Sequence, residues 1–160
     1  MSEIRNKIHQ WLSEDRIPVT EDFLTKGLLL LKAQNGLDLT IEVPKNDPVV
    51  YFFCKLSDAD TKFDSKLLKT ALGINQRLND TQGASVAYNE DTNELLMCYL
   101  WQLKDDSTKS NFIACLGNFM EVSGRTREEL IKSQKSSKSA SFHNSQLERN
   151  LSQRFNASMM

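Results

Sequence analysis

Apolar residues return at helical spacing near the start of the chain. Ile4, Ile8, Trp11 and Leu12 share one face of a helix expected over residues 2–15. Ser2 is placed to cap it, Glu3 suits the positive end of its dipole, and Pro18 lies just beyond its end. The pattern then changes to period two. Leu37, Leu39, Ile41 and Val43 alternate with Asp38, Thr40 and Glu42, which predicts a strand with one wet face. The run before it, Leu28 to Leu31, does not alternate, and the Asn35-Gly36 pair between them predicts a two-residue hairpin turn. VVYFFCKL, residues 49–56, reads as a third strand, again apolar on both sides.

Helical spacing returns in residues 65–80. Leu67, Ala71, Ile74 and Leu78 make one stripe, and Leu68 and Leu72 widen it beyond what contact with one sheet requires. Gly73 sits inside this helix, where it costs about 1 kcal/mol relative to Ala; it is read as tolerated, or as a site of close backbone approach. A second hairpin follows, with strands over 83–89 and 94–103 around the polar turn Asn89–Asn93. Asp105 or Asp106 is placed to cap a third helix carrying Phe112, Leu116, Phe119 and Met120, with Ile113 beside them. Gly124 is expected to end or kink it. Thr126 to Glu129 forms a capping box for a further turn bearing Leu130 and Ile131.

From residue 133 the composition shifts: eight of the last 28 residues are Ser, and large apolar residues are sparse. The expected organisation is one domain over residues 1–132 and a basic, Ser-rich tail over 133–160, expected to be mobile. Leu147, Leu151 and Phe155 could form a short helix there on contact with another surface. The tail carries a net charge of +3 within a total of −1, which leaves the body at −4. A mildly acidic body argues against nucleic acid, which asks for a basic face. The N-terminal stretch is charged throughout and has no apolar signal core, and no apolar run reaches the ~18 residues of a membrane span.

Catalytic and metal motifs are sparse. Cys54, Cys98 and Cys115 are widely spaced, with no CxxC pair, and the first two lie in apolar runs as small core residues. An odd count fits a reducing compartment. Asp58, Asp60 and Asp64 resemble a calcium loop only until Lys62 and Phe63, which fall where that loop needs an oxygen ligand and a Gly. They read as a solvated loop and a helix cap. His9 lies off the apolar stripe of the first helix, His143 lies in the tail, and neither phosphate-binding glycine motif is present. No metal and no cofactor is expected.

The unusual quantity is apolar supply. The fold class is α+β, a five-stranded antiparallel sheet with three helices in the order α-β-β-β-α-β-β-α. Strands 28–31, 49–56 and 95–103 are apolar on both faces, and three helices cover one face of a sheet rather than two. Burying one large side chain contributes roughly 1.5–3 kcal/mol, so leaving four or five wet forgoes about 6–15 kcal/mol, comparable to a domain's whole stability. A twin subunit, a bound segment, or both are expected to cover them.

Residues 72–103, LGINQRLNDTQGASVAYNEDTNELLMCYLWQL, run from a helix with a polar end through a Gly-Ala strand and a short acidic turn to a strongly apolar strand. This succession resembles the type III secretion chaperones of the Tir-chaperone family, the class I effector-binding chaperones, whose element order is the same. Phe112, Ile113, Leu116, Phe119 and Met120 resemble that family's last helix, and the resemblance covers about residues 3–131. It implies a homodimer without ATPase activity in the cytoplasm of a Gram-negative bacterium. Each dimer would hold the N-terminal segment of one or more effectors extended, partly as a strand added to a sheet edge, and so keep it stable and export-competent. The twin would be met through the second helix and the hairpin after it, with Leu68, Leu72, Val86, Met97 and Tyr99 as dimer candidates. Ile8, Trp11, Leu28, Leu30 and Phe52 are the client-binding candidates. The chain departs from the family in its pI of about 6.1, where many members are more acidic, and in its longer tail; both leave open an extra contact or a role at the secretion apparatus. Two other readings stand beside this one: a non-catalytic adaptor of similar fold that binds a folded partner, and an enzyme using Cys54 or His9.

Overall fold

The computed structural model describes residues 3–33, 36–57 and 61–157, with side chains to residue 135. Helix α1 (Glu3–Glu14) buries the predicted stripe of Ile8, Trp11 and Leu12. The first hairpin, β1 (Leu28–Lys32) and β2 (Asp38–Glu42), follows a one-turn helix, α2 (Asp22–Lys26). Then come β3 (Val49–Lys55), α3 (Ser65–Asn75), a one-turn α4 (Leu78–Thr81), the second hairpin β4 (Ser85–Asn89) and β5 (Glu94–Gln102), and the long helix α5 (Lys109–Ala157). The strands form one antiparallel sheet in the order β1-β2-β3-β5-β4. The expected α+β class and five-stranded sheet are present, with five helices rather than three.

Each departure has a local cause. Helices α2 and α4 are single turns, too short to show a period. Gly27 closes α2 in the left-handed conformation at φ 72°, and its N–H bonds back to the Phe23 carbonyl. The helix expected over 65–80 breaks after Asn75, where Arg77 leaves helical geometry at φ −93°, ψ 64°. The first hairpin closes with the Ala33 N–H donating to the Leu37 carbonyl at 2.9 Å, which makes a three-residue loop ending on Gly36 at φ 78° instead of a two-residue turn. Thr108, not Asp105 or Asp106, caps the last helix, accepting from the Asn111 N–H at 3.2 Å. Gly124 does not end that helix, which runs on as backbone to Ala157. Asp64 caps α3 by accepting from the Leu67 N–H at 2.7 Å. Ser2, Asn35, Asp58 and Asp60 lie outside the described residues.

The core lies on one face of the sheet, under α1 and α5. Phe52 is its hub, with ring centroids 6.2 Å from Tyr99, 5.8 Å from Phe112 and 5.6 Å from Phe119. Trp11 and Trp101 pack against the same Phe112 at 5.7 and 5.3 Å. Helix α3 lies beside β4 and against α5. Arg5 ties α1 to the start of the hairpin: its Nε donates to the Val43 carbonyl at 2.9 Å and an Nη to the Thr25 carbonyl at 2.5 Å.

Candidate functional site

Strand register decides which residues face the helices. The row Leu29, Ile41, Phe52 and Tyr99 runs across β1, β2, β3 and β5, and the next row carries Leu31, Leu39, Cys54, Met97 and Val86. These rows face α1 and α5. Their neighbours of opposite parity, Leu28, Leu30, Tyr51, Phe53, Leu96, Cys98 and Leu100, share the other face, which no described helix covers. Leu96 is therefore outward and Met97 inward. Tyr51 and Phe53 stack at 6.2 Å beside Leu100, which is half exposed. Polar residues of β2, Thr40 and Glu42, separate this patch from Leu28 and Leu30. Next to Phe53 lies a depression of about 380 Å³, floored by Thr40, Phe53 and Leu96 and rimmed by Asp38, Lys55 and Glu94. The Lys55 ammonium bonds Glu94 at 2.5 Å and holds its carboxyl below the usual carboxylate range.

The edge of β1 is open. The Val43 N–H donates to the Gly27 carbonyl at 2.7 Å, and the Ala33 N–H to the Leu37 carbonyl at 2.9 Å. Residues 27 and 33 both turn their main-chain groups toward β2. Because hydrogen-bonded pairs alternate along an antiparallel ladder, Leu29 and Leu31 do the same. Leu28, Leu30 and Lys32 therefore point their N–H and C=O groups away from the sheet, and among the described residues no bond to them on that side is present. Their side chains are also wet: Leu30 is 70% exposed and Leu28 42%. An unpaired apolar edge of this kind is a template for another strand, and soluble proteins ordinarily cover it, charge it or break it with Pro.

A third apolar area lies on α3 and α4, where Leu72 is 67% exposed, Leu78 65% and Leu68 39%. A Cβ added at Gly73, beside Leu72, would meet nothing within 4 Å in the subunit.

The candidate residues thus divide by position. Leu28, Leu30, Leu68 and Leu72 are on the surface, and Tyr99 is half buried beside Phe52 and Phe119. Ile8, Phe52 and Met97 are fully buried in the subunit itself, and Trp11 and Val86 nearly so. Phe52, Val86 and Met97 have the strand parity that faces the helices, and Ile8 and Trp11 lie on the sheet-facing side of α1. Tyr51, Phe53 and Leu100 on the open face and Leu78 on α4 are apolar surface residues that the candidate set did not include. Strand alternation separates the two sets once one inward residue is known, but the sequence does not say which parity the helices will cover.

Burial makes the cysteines poor nucleophiles. Cys54 is fully buried and burial pushes its thiol up to about 11, so it stays protonated at neutral pH, the reverse of what a nucleophile needs. Burial also raises Cys98 and Cys115. Among the described residues no cluster of His, Cys, Asp and Glu could hold a metal, and no helix is long and apolar enough to cross a membrane.

The fold is similar to that in the crystal structure of the ExsC–ExsE complex, with a TM-score of 0.66 at 16% identity over 81% of this chain and 97% of that one. It is similar to a chain of the heterodimeric ExoU–SpcU complex from the type III secretion system of Pseudomonas aeruginosa, with a TM-score of 0.59 at 13% identity over 79% and 96% of the two chains. For the HopA1–SchA chaperone–effector complex the TM-score is 0.56 at 13% identity, over 77% and 91%. At these identities the likeness establishes the fold. No curated protein matches the chain by sequence. The profile of one family, however, matches residues 22–127, from α2 through both hairpins and into α5, and the chain belongs to that family, the Tir chaperone protein (CesT) family.

Proposed function

We propose that this protein is an ATP-independent chaperone that holds the N-terminal part of one or more type III secretion effectors as an extended segment in the bacterial cytoplasm. The activity is binding, with no catalytic step. The observation that carries the reading is the unpaired β1 edge with Leu28 and Leu30 exposed beside it. An extended segment satisfies the main-chain groups of that edge and buries those leucines, each contributing roughly 1.5–3 kcal/mol when fully covered. Tyr51, Phe53 and Leu100 form a separate apolar patch for the segment to reach as it wraps around the sheet. A chain held this way neither folds nor aggregates. The family membership and the fold shared with a chain of the HopA1–SchA chaperone–effector complex support the same reading.

The direct test is to purify the protein from its host with its client and follow hydrogen exchange on the client. A bound stretch that is protected without a cooperative fold of its own supports the reading. A client held only through a folded domain contradicts it and favours an adaptor.

The apolar area of α3 and α4 is proposed as the contact with a twin subunit. Leu72→Asp is expected to convert a dimer to a monomer in light scattering at micromolar concentration, with the melting of the isolated subunit little changed because Leu72 is exposed there. A variant that stays dimeric places the contact elsewhere. The domain boundary near residue 132 is part of the same proposal, with residues 133–160 as an appended tail that meets the secretion apparatus. Leu130 is the last core residue among those described. Truncation after Lys135 is therefore expected to leave melting and client affinity unchanged, as read by calorimetry.

A further inference from the structure

The sheet has two edges, and they differ: β1 is open along its length, whereas β4 is occupied at its centre. On β4 the Val86 N–H donates to the Asn75 Oδ1 at 2.7 Å, and the Val86 carbonyl accepts from the Asn75 Nδ2 at 3.0 Å. A primary amide has the donor and acceptor of a peptide group, so the Asn75 side chain sits against Val86 as one residue of a neighbouring strand would. The next outward group toward the start of β4, the Ala84 N–H, donates to the Thr81 carbonyl at 2.9 Å. At the other end Phe63 packs edge-on against Tyr88 at 5.4 Å. The pairing groups of Val86 and the N–H of Ala84 are thus filled from within the chain by the end of α3 and by α4. Those of β1 are not.

We infer that Asn75 is a specificity-determining residue that acts as a surrogate strand: it shuts β4, so that an extended client segment enters each subunit at β1 alone. This rests on the proposed chaperone reading and adds the choice of edge and the number of strands taken per subunit. It also gives Asn75, the last residue of α3, a role beyond holding the helix in place. Without such a seal, β4 would expose the same ladder of donors and acceptors as β1. A segment could then pair at either edge, or two subunits could join edge to edge.

The test uses the full chain and a short synthetic peptide that alternates Leu and Thr between terminal Lys residues, with residue-level hydrogen exchange and native mass spectrometry. In the unaltered protein the peptide is expected to slow exchange at Leu28 and Leu30, leave Val86 unchanged, and bind once per subunit. In Asn75→Ala, Val86 is expected to exchange faster without peptide and slower with it, and the count rises to two. Asn75→Asp, which keeps the shape and the acceptor but loses the donor, carries the same comparison if Asn75→Ala does not fold. The double variant Leu30→Pro/Asn75→Ala is expected to take the peptide at β4 only. Peptide at β4 in the unaltered protein, or no peptide at β4 in any Asn75 variant, overturns the inference. Absence of protection at β1 with β4 opening as described would instead sink the β1 client reading and leave the seal standing.

Discussion

Leu30→Pro is expected to weaken binding of the extended client at least tenfold while the subunit stays folded, whereas Leu29→Pro is expected to cost about 3–5 kcal/mol of stability. The two positions are adjacent in sequence and opposite in function. The N–H of Leu30 faces away from β2, so a proline there removes a donor that only an incoming strand would use. Proline is tolerated on edge strands at such positions. The N–H of Leu29 belongs to the ladder with Ile41, and its side chain is 1% exposed in the core. Proline there breaks the ladder and empties a buried site together. Calorimetric melting separates the two variants on stability, and titration with the client separates them on affinity. Equal affinity for Leu30→Pro and the unaltered protein would remove strand addition at β1.

Gly27→Ala is expected to lower stability by about 3 kcal/mol, and Arg5→Ala by about 2–4 kcal/mol. At Gly27 the backbone is left-handed at φ 72°, and an added Cβ would land on the Val43 carbonyl oxygen and on the Arg5 guanidinium. One residue thus closes α2, starts β1 and leaves room for Arg5. Arg5 is 8% exposed and donates to two carbonyls from separate segments, so removing it strands both acceptors without a charged donor. Both variants bear on function because this junction fixes where the open edge begins. Thermal denaturation checks them, and a loss below about 1 kcal/mol in either would show that the junction relaxes around the change.

Five strands and the three longest helices were legible from periodicity, because each presents at least a few residues at one repeat. Helices α2 and α4 were not, since one turn leaves no period to read. The surplus of apolar residues in 28–31, 49–56 and 95–103 correctly marked a sheet with a second apolar face. It did not mark which side was which. Phe52 and Phe53 are equally apolar neighbours, and only the placement of α1 and α5 makes one the hub of the core and the other part of an open patch. The same ambiguity applies to Met97 and Val86, dimer candidates that the structure places on the helix-facing side of the sheet. Leu28 and Leu30 were legible as candidates, but the openness of β1 follows from sheet order. The closing of β4 depends on one amide, Asn75, that looks like any helix-terminal polar residue in the sequence.

The most direct test of an extended client on β1 is amide hydrogen exchange of this protein with and without its bound effector. Leu28, Leu30 and Lys32 are expected to slow on binding, in step with their alternation along β1, while Val86 is unchanged. Unchanged exchange at Leu28 and Leu30 in a saturated complex would contradict strand addition at that edge.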